Sequence, residues 1–258
     1  MPSLSSGTYV PPAAPTPTQR LGVRERPDRL AVGRQRWADL LFAHWTVEPA
    51  VIQATLPKGL FVDTFEGRAY VGIVPFSMER VRPSYLPAVP LISWFLELNV
   101  RTYVHDARGN PGVWFYSLDC SNPLAVVLAR RFFHLPYFRA EMSLRRSGAS
   151  VRYRSLRKGS GEAPGAFAWD QEGEGQEAGP GTLEFFLLER YLLFASDSAG
   201  RLFQGQVHHA PYRFYRPTVR GLSAEPARPL GFDLTAPPAS LLAALPVDVS
   251  IYRLRPLG

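Results

Sequence analysis

The stretch SWFLELNVRTYVHDARGNPGVWFYSLD, residues 93–119, decides the predicted fold. Its two halves alternate between apolar and polar side chains, and the segment between them, residues 106–112, is rich in turn-forming residues. Because side chains two apart on a strand share a face, this pattern predicts a hairpin of two long strands. One face of the first strand is apolar, and the other carries what we call the polar row. The polar row consists of Glu97, Asn99, Arg101 and Tyr103.

The polar row is the best candidate for a ligand site in this sequence. Glu97 and Arg101 lie four residues apart, or about 13 Å along a strand, so they would hold one ligand between them rather than pair directly. Asn99 would lie in the middle of that span. The alternative is a solvated outer face whose charges pair with neighbouring strands, and the pattern leaves both interpretations open.

The rest of the chain has the same strand-rich pattern. Strands joined at short turns are predicted around residues 66–67, 147–148 and 197–200. Helices are predicted over residues 49–56 and 124–134, where a proline or an N-cap residue stands at the start. Residues 183–190 favour a short helix with Thr182 as its N-cap, but this run is too short to exclude a strand. The order is not alternating βαβ, so we predict a mainly β (α+β) fold. Its expected form is an antiparallel sheet or barrel covered by a few helices.

Composition sets the expected domain organisation and compartment. Residues 1–24 are rich in Pro, Ser and Thr and predict a disordered tail, whereas residues 25–258 predict one domain. No signal-peptide pattern and no apolar run of about 18–20 residues occurs, so we expect no membrane contact. Cys120 is the only cysteine, which excludes an internal disulfide. Together these features predict a cytoplasmic protein.

The positive charge of the chain raises the question of a nucleic-acid partner. The formal net charge is +7 and the isoelectric point is about 9.8. However, Lys58 and Lys158 are the only lysines, and the arginines are spread along the chain rather than clustered, apart from short basic runs such as residues 20–36 and 145–158. This distribution argues against nucleic-acid binding.

Motifs for metal, cofactor or nucleophilic chemistry are absent from the sequence. His208 and His209 are adjacent, so on a strand they point to opposite faces and cannot share one ion. No phosphate-binding loop or dinucleotide fingerprint occurs, and we predict neither a metal nor a cofactor. Cys120 precedes a predicted helix, where a thiolate is stabilised, but its sequence context favours a small buried residue.

Four segments in order resemble the YqjF-like family of uncharacterised proteins. They are ELNVRTYV (97–104), NPGVWFYSLD (110–119), NPLAVVLARRFFHLPYF (122–138) and LEFFLLERYLLF (183–194). That family is placed in the acetoacetate decarboxylase-like superfamily, and the resemblance covers roughly residues 37–255. It implies one domain built on a cone-shaped antiparallel β-barrel, with a central cavity and flanking helices. It implies no established activity.

The resemblance also says what chemistry to expect in the cavity. The decarboxylases of the superfamily form a Schiff base on a lysine that follows a helix and a proline step. The matching place here is residues 135–138, LPYF, which contain no lysine, so Schiff-base decarboxylation is not expected. Glu97 is similarly placed to a cavity glutamate of those enzymes, and Arg130 to an arginine on their helix. Both correspondences are approximate.

These observations give a set of candidate site residues and three hypotheses. Glu97 and Tyr137 are the candidate catalytic acid–base groups. The candidate substrate-binding residues are Asn99, Arg101, Tyr103, Asp119, Arg130 and His134. The first hypothesis is a barrel cavity that binds a small anionic or carbonyl-bearing molecule. The second is a non-catalytic ligand carrier or sensor, and the third is a basic nucleic-acid-binding protein. A homo-oligomer is allowed but not required.

Overall fold

The structure is a computed structural model that describes residues 12–257. Strands dominate the described part of the chain. They are β1 Gly33–Ala38, β2 Leu40–Val47, β3 Leu60–Val62, β4 Ala69–Pro83, β5 Phe95–Asp106, β6 Pro111–Cys120, β7 Tyr137–Ser147, β8 Ser150–Arg157, β9 Gly165–Asp170, β10 Gln176–Glu177, β11 Leu192–Ser196, β12 Leu202–His208, β13 Arg213–Tyr215, β14 Val219–Gly221, β15 Ser240–Ala244, β16 Val247–Ile251 and β17 Arg255–Pro256. The helices are α1 Pro17–Gly22, α2 Pro49–Thr55, α3 Pro123–Phe133, α4 Leu183–Leu188 and a short 3-10 turn, Glu225–Leu230.

Seven strands close into a barrel. The order of pairing is β4–β5–β6–β11–β12–β16–β1, and β1 returns to β4. Every pair in this circuit is antiparallel except β6–β11. Closure leaves no free edge around the barrel, which is how antiparallel sheets of this size avoid exposed strand edges. The predicted mainly β barrel with a few helices is confirmed.

A second sheet covers one side of the barrel. It is formed by β7, β8, β9 and β14. Tyr153 and Trp169 from this sheet pack with Leu98 and Val100 of β5 in one buried cluster. The apolar face of β5 is therefore buried between the barrel and the second sheet.

The other face of β5, which carries the polar row, points into the barrel. Asn99 and Glu97 stand opposite Val74 and Phe76 of β4, and directly opposite residues of neighbouring strands share a face. Val74 and Phe76 belong to a buried cluster drawn from barrel strands β4, β12 and β16, from β2, β13 and β15, and from α4, which we call the interior cluster. Its buried members are Leu40, Phe42, Val74, Phe76, Met78, Leu188, Val207, Tyr212, Phe214, Leu242, Ala244, Val247 and Val249. The solvated-face alternative for the polar row is therefore wrong.

The amino-terminal segment differs from its prediction. Residues 1–11 of the predicted disordered tail 1–24 lie outside the described residues, but α1 forms within the remainder. A capping box joins Thr16 and Gln19, and Arg20 makes two 2.7 Å bonds to the buried carboxylate of Asp63. Composition shows that this segment cannot build a core of its own. It does not show that a distant carboxylate holds the segment in place.

Candidate functional site

Glu97 and Tyr137 meet inside the barrel. Tyr137 opens β7, and its hydroxyl donates to Glu97 Oε2 at 2.7 Å. Both side chains are buried. Burial raises the pKa of Glu97 to about 7, although the bond from Tyr137 works in the opposite direction. A carboxyl group with a pKa near neutrality can both accept and release a proton at physiological pH, as a general acid–base group must.

Arg101 and Tyr103 share an acceptor on α4. Arg101 Nη2 donates to Leu187 O at 3.2 Å and to the Tyr103 hydroxyl at 3.3 Å, and that hydroxyl lies 2.9 Å from Leu187 O. Arg101 is partly exposed, although Val100 and Thr102 on either side of it are fully buried. Its side chain therefore borders accessible space.

His44 on β2 joins this group, and sequence analysis missed it. Its Nε2 lies 2.7 Å from the Tyr103 hydroxyl. When that hydroxyl donates its single hydrogen to Leu187 O, His44 donates from Nε2 and its Nδ1 keeps a free lone pair. Burial and then the charge of Arg101 lower the pKa of His44 well below 6.5, so the ring is neutral. The signal in the sequence is one histidine in an otherwise apolar strand, LLFAHW.

Gly72 on β4 makes room for this arrangement. A Cβ atom there would stand 2.9 Å from His44 Cδ2 and 3.6 Å from Arg101 Cγ. Real Cβ atoms do not approach ring carbons that closely, so any larger residue would displace the imidazole. The glycine is thus part of the architecture that lets His44 and Arg101 lie side by side.

Three buried polar atoms of this site have no hydrogen-bond partner within residues 12–257. They are His44 Nδ1, Asn99 Oδ1 and Arg101 Nε. A buried polar atom left unpaired costs about 1–3 kcal/mol, and native structures satisfy such atoms with water or a ligand. The polar row and His44 therefore offer one donor and two acceptors to a polar guest.

Arg130 and His134 lie in a different place, an open cleft on the barrel wall. Strand β6 pairs with β11 at residues 113–114 and with β7 at residues 118–120, so its two neighbours diverge between these points. The cleft, of about 820 Å³, opens there. Arg130 Nε donates to Tyr137 O at 2.6 Å, and His134 follows α3 in the left-handed conformation. Neither side chain joins the polar row.

Asp119 points away from the polar row. It stands opposite Leu98, on the face that the second sheet covers. Its carboxylate accepts from Arg157 Nε at 2.7 Å and from Ser155 Oγ at 3.2 Å. Burial raises the pKa of Asp119, against the effect of Arg157. The structure thus gives Asp119 the role of joining the barrel to the second sheet.

The two lysines lie on the surface, and the single cysteine is a weak nucleophile. Lys58 is exposed, and Lys158 pairs with Glu141 at 3.0 Å. Burial raises the pKa of the Cys120 thiol to about 12, which makes it a weak nucleophile. Over the described part of the chain, no group of three His, Cys, Asp or Glu could hold a metal ion. Nor is any helix in that part long and apolar enough to cross a membrane.

Comparison with known sequences shows the family. Residues 34–248 match the DUF2071 family, described as an uncharacterized conserved protein. The chain is 40% identical over 186 residues to the uncharacterized protein YqjF of Bacillus subtilis (strain 168). This alignment covers 72% of this chain and 76% of the relative. The chain belongs to this family, and the YqjF-like resemblance of its motifs is confirmed.

Comparison with solved structures confirms the fold of the superfamily. An acetoacetate decarboxylase-like enzyme from Sphingomonas wittichii RW1 aligns with a TM-score of 0.62 and 14% identity, over 89% of this chain and 94% of that one. The acetoacetate decarboxylase of Legionella pneumophila subsp. pneumophila str. Philadelphia 1 gives 0.61 and 12%, over 99% and 98%. The enduracididine biosynthesis enzyme MppR complexed with pyruvate gives 0.60 and 13%, over 91% and 93%. Identities this low establish the fold alone.

Proposed function

We propose that this member of the DUF2071 family binds a small anionic or carbonyl-bearing molecule inside its barrel. The observation that carries the proposal is the set of three buried, unpartnered polar atoms on His44, Asn99 and Arg101. Arg101 supplies a positive charge whose Nε–H is unused, and bonds from a guanidinium to a carboxylate are among the strongest in proteins. A carboxylate or a carbonyl oxygen would satisfy this donor.

The other residues have supporting roles in the proposal. Tyr103 orients His44 through the 2.7 Å bond, which leaves the Nδ1 lone pair for a hydroxyl or a protonated acid group of the ligand. Arg130 and His134 line the outer cleft, where the charge of Arg130 attracts the anion. Leu135 lines that cleft and packs in the same cluster as Tyr137, so the cleft lies against the group that holds Glu97.

Glu97 and Tyr137 favour proton transfer over simple storage. Proton abstraction next to a carbonyl needs a base with a pKa near neutrality, and the buried Glu97 carboxyl, which accepts from Tyr137, meets that requirement. The second candidate, a non-catalytic carrier or sensor, is favoured by the apolar interior cluster on the strands that face the polar row. Both candidates use the same binding residues in a cytoplasmic protein.

The chemistry proposed differs from that of a Schiff-base decarboxylase. Both lysines of the chain are on its surface, and Tyr137 occupies the position where the resemblance would place the amine. MppR, whose fold this chain shares, forms a complex with pyruvate, which is a small keto acid. That likeness supports the ligand class without assigning a reaction.

Calorimetric titration with pyruvate and acetoacetate tests the proposal. We expect binding to the unmodified protein and an affinity lower by about 10-fold or more in Arg101→Met, since a bond to a charged group contributes about 1.5–3 kcal/mol. The control is Arg152→Met, which removes an exposed arginine of the second sheet. Equal affinities in the two variants, or no binding to the unmodified protein, would refute the proposal.

Borohydride treatment in the presence of acetoacetate tests the absence of Schiff-base chemistry. Because neither lysine lies in the barrel interior, we expect no covalent adduct in the mass spectrum of the intact protein. An adduct mapped to Lys58 or Lys158 would contradict this expectation. Acetoacetate decarboxylase treated in the same way provides the positive control.

A further inference from the structure

The outer cleft is large enough to hold a ligand of its own. Its volume is about 820 Å³, and ligand pockets in proteins commonly measure about 300–1,000 Å³. Pyruvate would fill only a small part of this space. The cleft wall is rich in aromatic rings, which come from Trp114, Phe115, Tyr116 and Phe194. The first three are half-buried, which leaves apolar surface uncovered for the body of a ligand.

Arg130 is a fixed cation in the lining of this cleft, although it is exposed. Its Nε donates to Tyr137 O at 2.6 Å, and its guanidinium carbon lies 5.5 Å from the centre of the Phe138 ring. These contacts hold the guanidinium in place, while both Nη groups are without a partner in the described part of the chain. Two parallel donors of this kind match the two oxygens of a carboxylate.

The charges that line the cleft favour a single negative charge on the ligand. Asp197 is the acidic residue of the lining, and its carboxylate accepts from Arg201 Nε at 2.7 Å and from Arg201 Nη2 at 2.6 Å. This pair is neutral as a whole, so it neither repels an anion nor attracts a second one. The charge of Arg130 is left uncompensated, and protonation of His134 in the same lining would only add to it.

We propose that the outer cleft is a binding site of its own for a monocarboxylic acid with a flat apolar body. The carboxylate binds the two Nη groups of Arg130, and the body packs against the aromatic wall. An aromatic body fits best, since ring against ring adds stabilisation beyond the apolar area that is buried. This inference goes beyond the proposed function, because the site, the anchoring residue and the size of the ligand all differ from those of the barrel site.

Three probes separate the two parts of this ligand by calorimetry: 2-naphthoate, 2-naphthylmethanol and acetate. The alcohol has the same flat body without the charge, and acetate has the charge without the body. In the unmodified protein we expect 2-naphthoate to bind about 10-fold or more tightly than either of the others. Equal binding of 2-naphthoate and 2-naphthylmethanol would overturn the inference, because the cleft would then recognise no carboxylate.

Two substitutions test whether the probe binds in the cleft. Arg130→Met removes the anchor, and Ser198→Trp adds bulk at an exposed residue of the lining. Each should weaken 2-naphthoate binding by about 5-fold or more. The matched controls are Arg131→Met and Ala199→Trp, at the adjacent exposed residues, which do not line the cleft and should keep the affinity. Ser198→Trp leaves the bond to Tyr137 intact, so the test does not depend on how well Arg130→Met folds.

The outcomes separate this inference from the proposed function. If pyruvate binds through Arg101 and 2-naphthoate does not bind, the inference alone fails. If 2-naphthoate binds as described and pyruvate does not bind, the proposed function alone fails. A loss of 2-naphthoate affinity in Arg101→Met but not in Arg130→Met would place the probe in the barrel and overturn the inference. Equal affinities in each cleft variant and its control would overturn it as well.

Discussion

Two buried carboxylates, Asp63 and Glu97, show opposite ways of holding a charge inside this fold. Asp63 accepts 2.7 Å bonds from Arg20 and Arg190, and their charges lower its pKa even though burial works to raise it. Glu97 has one neutral donor, Tyr137, and burial raises its pKa to about 7. A carboxylate neutralised by two arginines is stable and inert. A buried carboxyl group with only a neutral donor can exchange protons near neutral pH. The contrast between Asp63 and Glu97 therefore distinguishes a structural charge from a functional one.

The first prediction tests the structural side of this contrast and has the largest expected effect. Arg190→Met removes a cation that is 7% exposed and leaves Asp63 with Arg20 alone. We expect the free energy of unfolding to fall by about 3–5 kcal/mol, since a buried charge loses its partner. Urea denaturation followed by circular dichroism measures it.

Arg201→Met provides the matched control for that experiment. It breaks the ion pair with Asp197, in which the arginine side chain is 75% exposed. Exposed pairs contribute at most about 1 kcal/mol. Equal losses in the two variants would show that the Asp63 pair is not a structural centre.

The second prediction concerns the pH dependence of stability. The pKa of Glu97 rises from about 4.5 in the unfolded chain to about 7 in the fold, so the folded state binds more protons between these values. The contribution of Glu97 is therefore fully present below about pH 4.5 and is lost as pH rises towards 7, in total about 3 kcal/mol. Asp63 acts in the opposite sense, because its lowered pKa contributes stability that disappears as pH falls through the folded-state value.

Glu97→Gln isolates this effect. In denaturation series from pH 5 to pH 8, the free energy of unfolding of the unmodified protein should fall by about 3 kcal/mol relative to that of the variant as pH rises. The lowered pKa values of His44 and His209 make stability rise with pH over part of this range, but they affect both proteins equally and cancel in the difference. Glu141→Gln, on the exposed end of β7, removes a carboxylate without that burial and serves as the control. A difference in stability between the unmodified protein and Glu97→Gln that stays constant with pH would mean that Glu97 does not titrate as described.

The third and smallest prediction concerns the space that Gly72 leaves for His44. Gly72→Ala should lower the free energy of unfolding by about 1–3 kcal/mol, since its Cβ would stand 2.9 Å from the imidazole. It should also weaken ligand binding, because the imidazole and Arg101 can no longer lie side by side. Gly221→Ala is the control, since its nearest neighbour would be at 3.4 Å. If both substitutions changed ligand affinity to a similar extent, Gly72 would have no specific role in the ligand site.

The strands and the polar row could be predicted because their signals are local. Alternation with a period of two marked β5 and β6, and Asn122 followed by Pro123 marked the start of α3. The strand pattern predicted an antiparallel sheet or barrel, and the resemblance of the motifs selected the closed barrel. Where the local pattern and the family resemblance predicted the same element, the structure contains that element.

The residues that sequence reasoning missed or misplaced all depend on contacts far apart in the chain. His44 meets Tyr103 across 59 residues, and Arg20 meets Asp63 across 43. Asp119 and Cys120 are neighbours on β6 with both faces buried, so alternation cannot say which one faces the interior. The register with β5 shows which of the two faces the interior. Cys120 does, because it stands opposite Glu97.

The most direct test of the central claim is native mass spectrometry of the protein purified from its own host. Because Arg101, Asn99 and His44 leave buried polar atoms for a guest, we predict that a small acidic molecule remains bound to the unmodified protein. The Arg101→Met variant, purified in the same way, should lose it. A protein that retains nothing, or a variant that retains the same molecule in the same amount, would contradict the claim that the polar row is a ligand site.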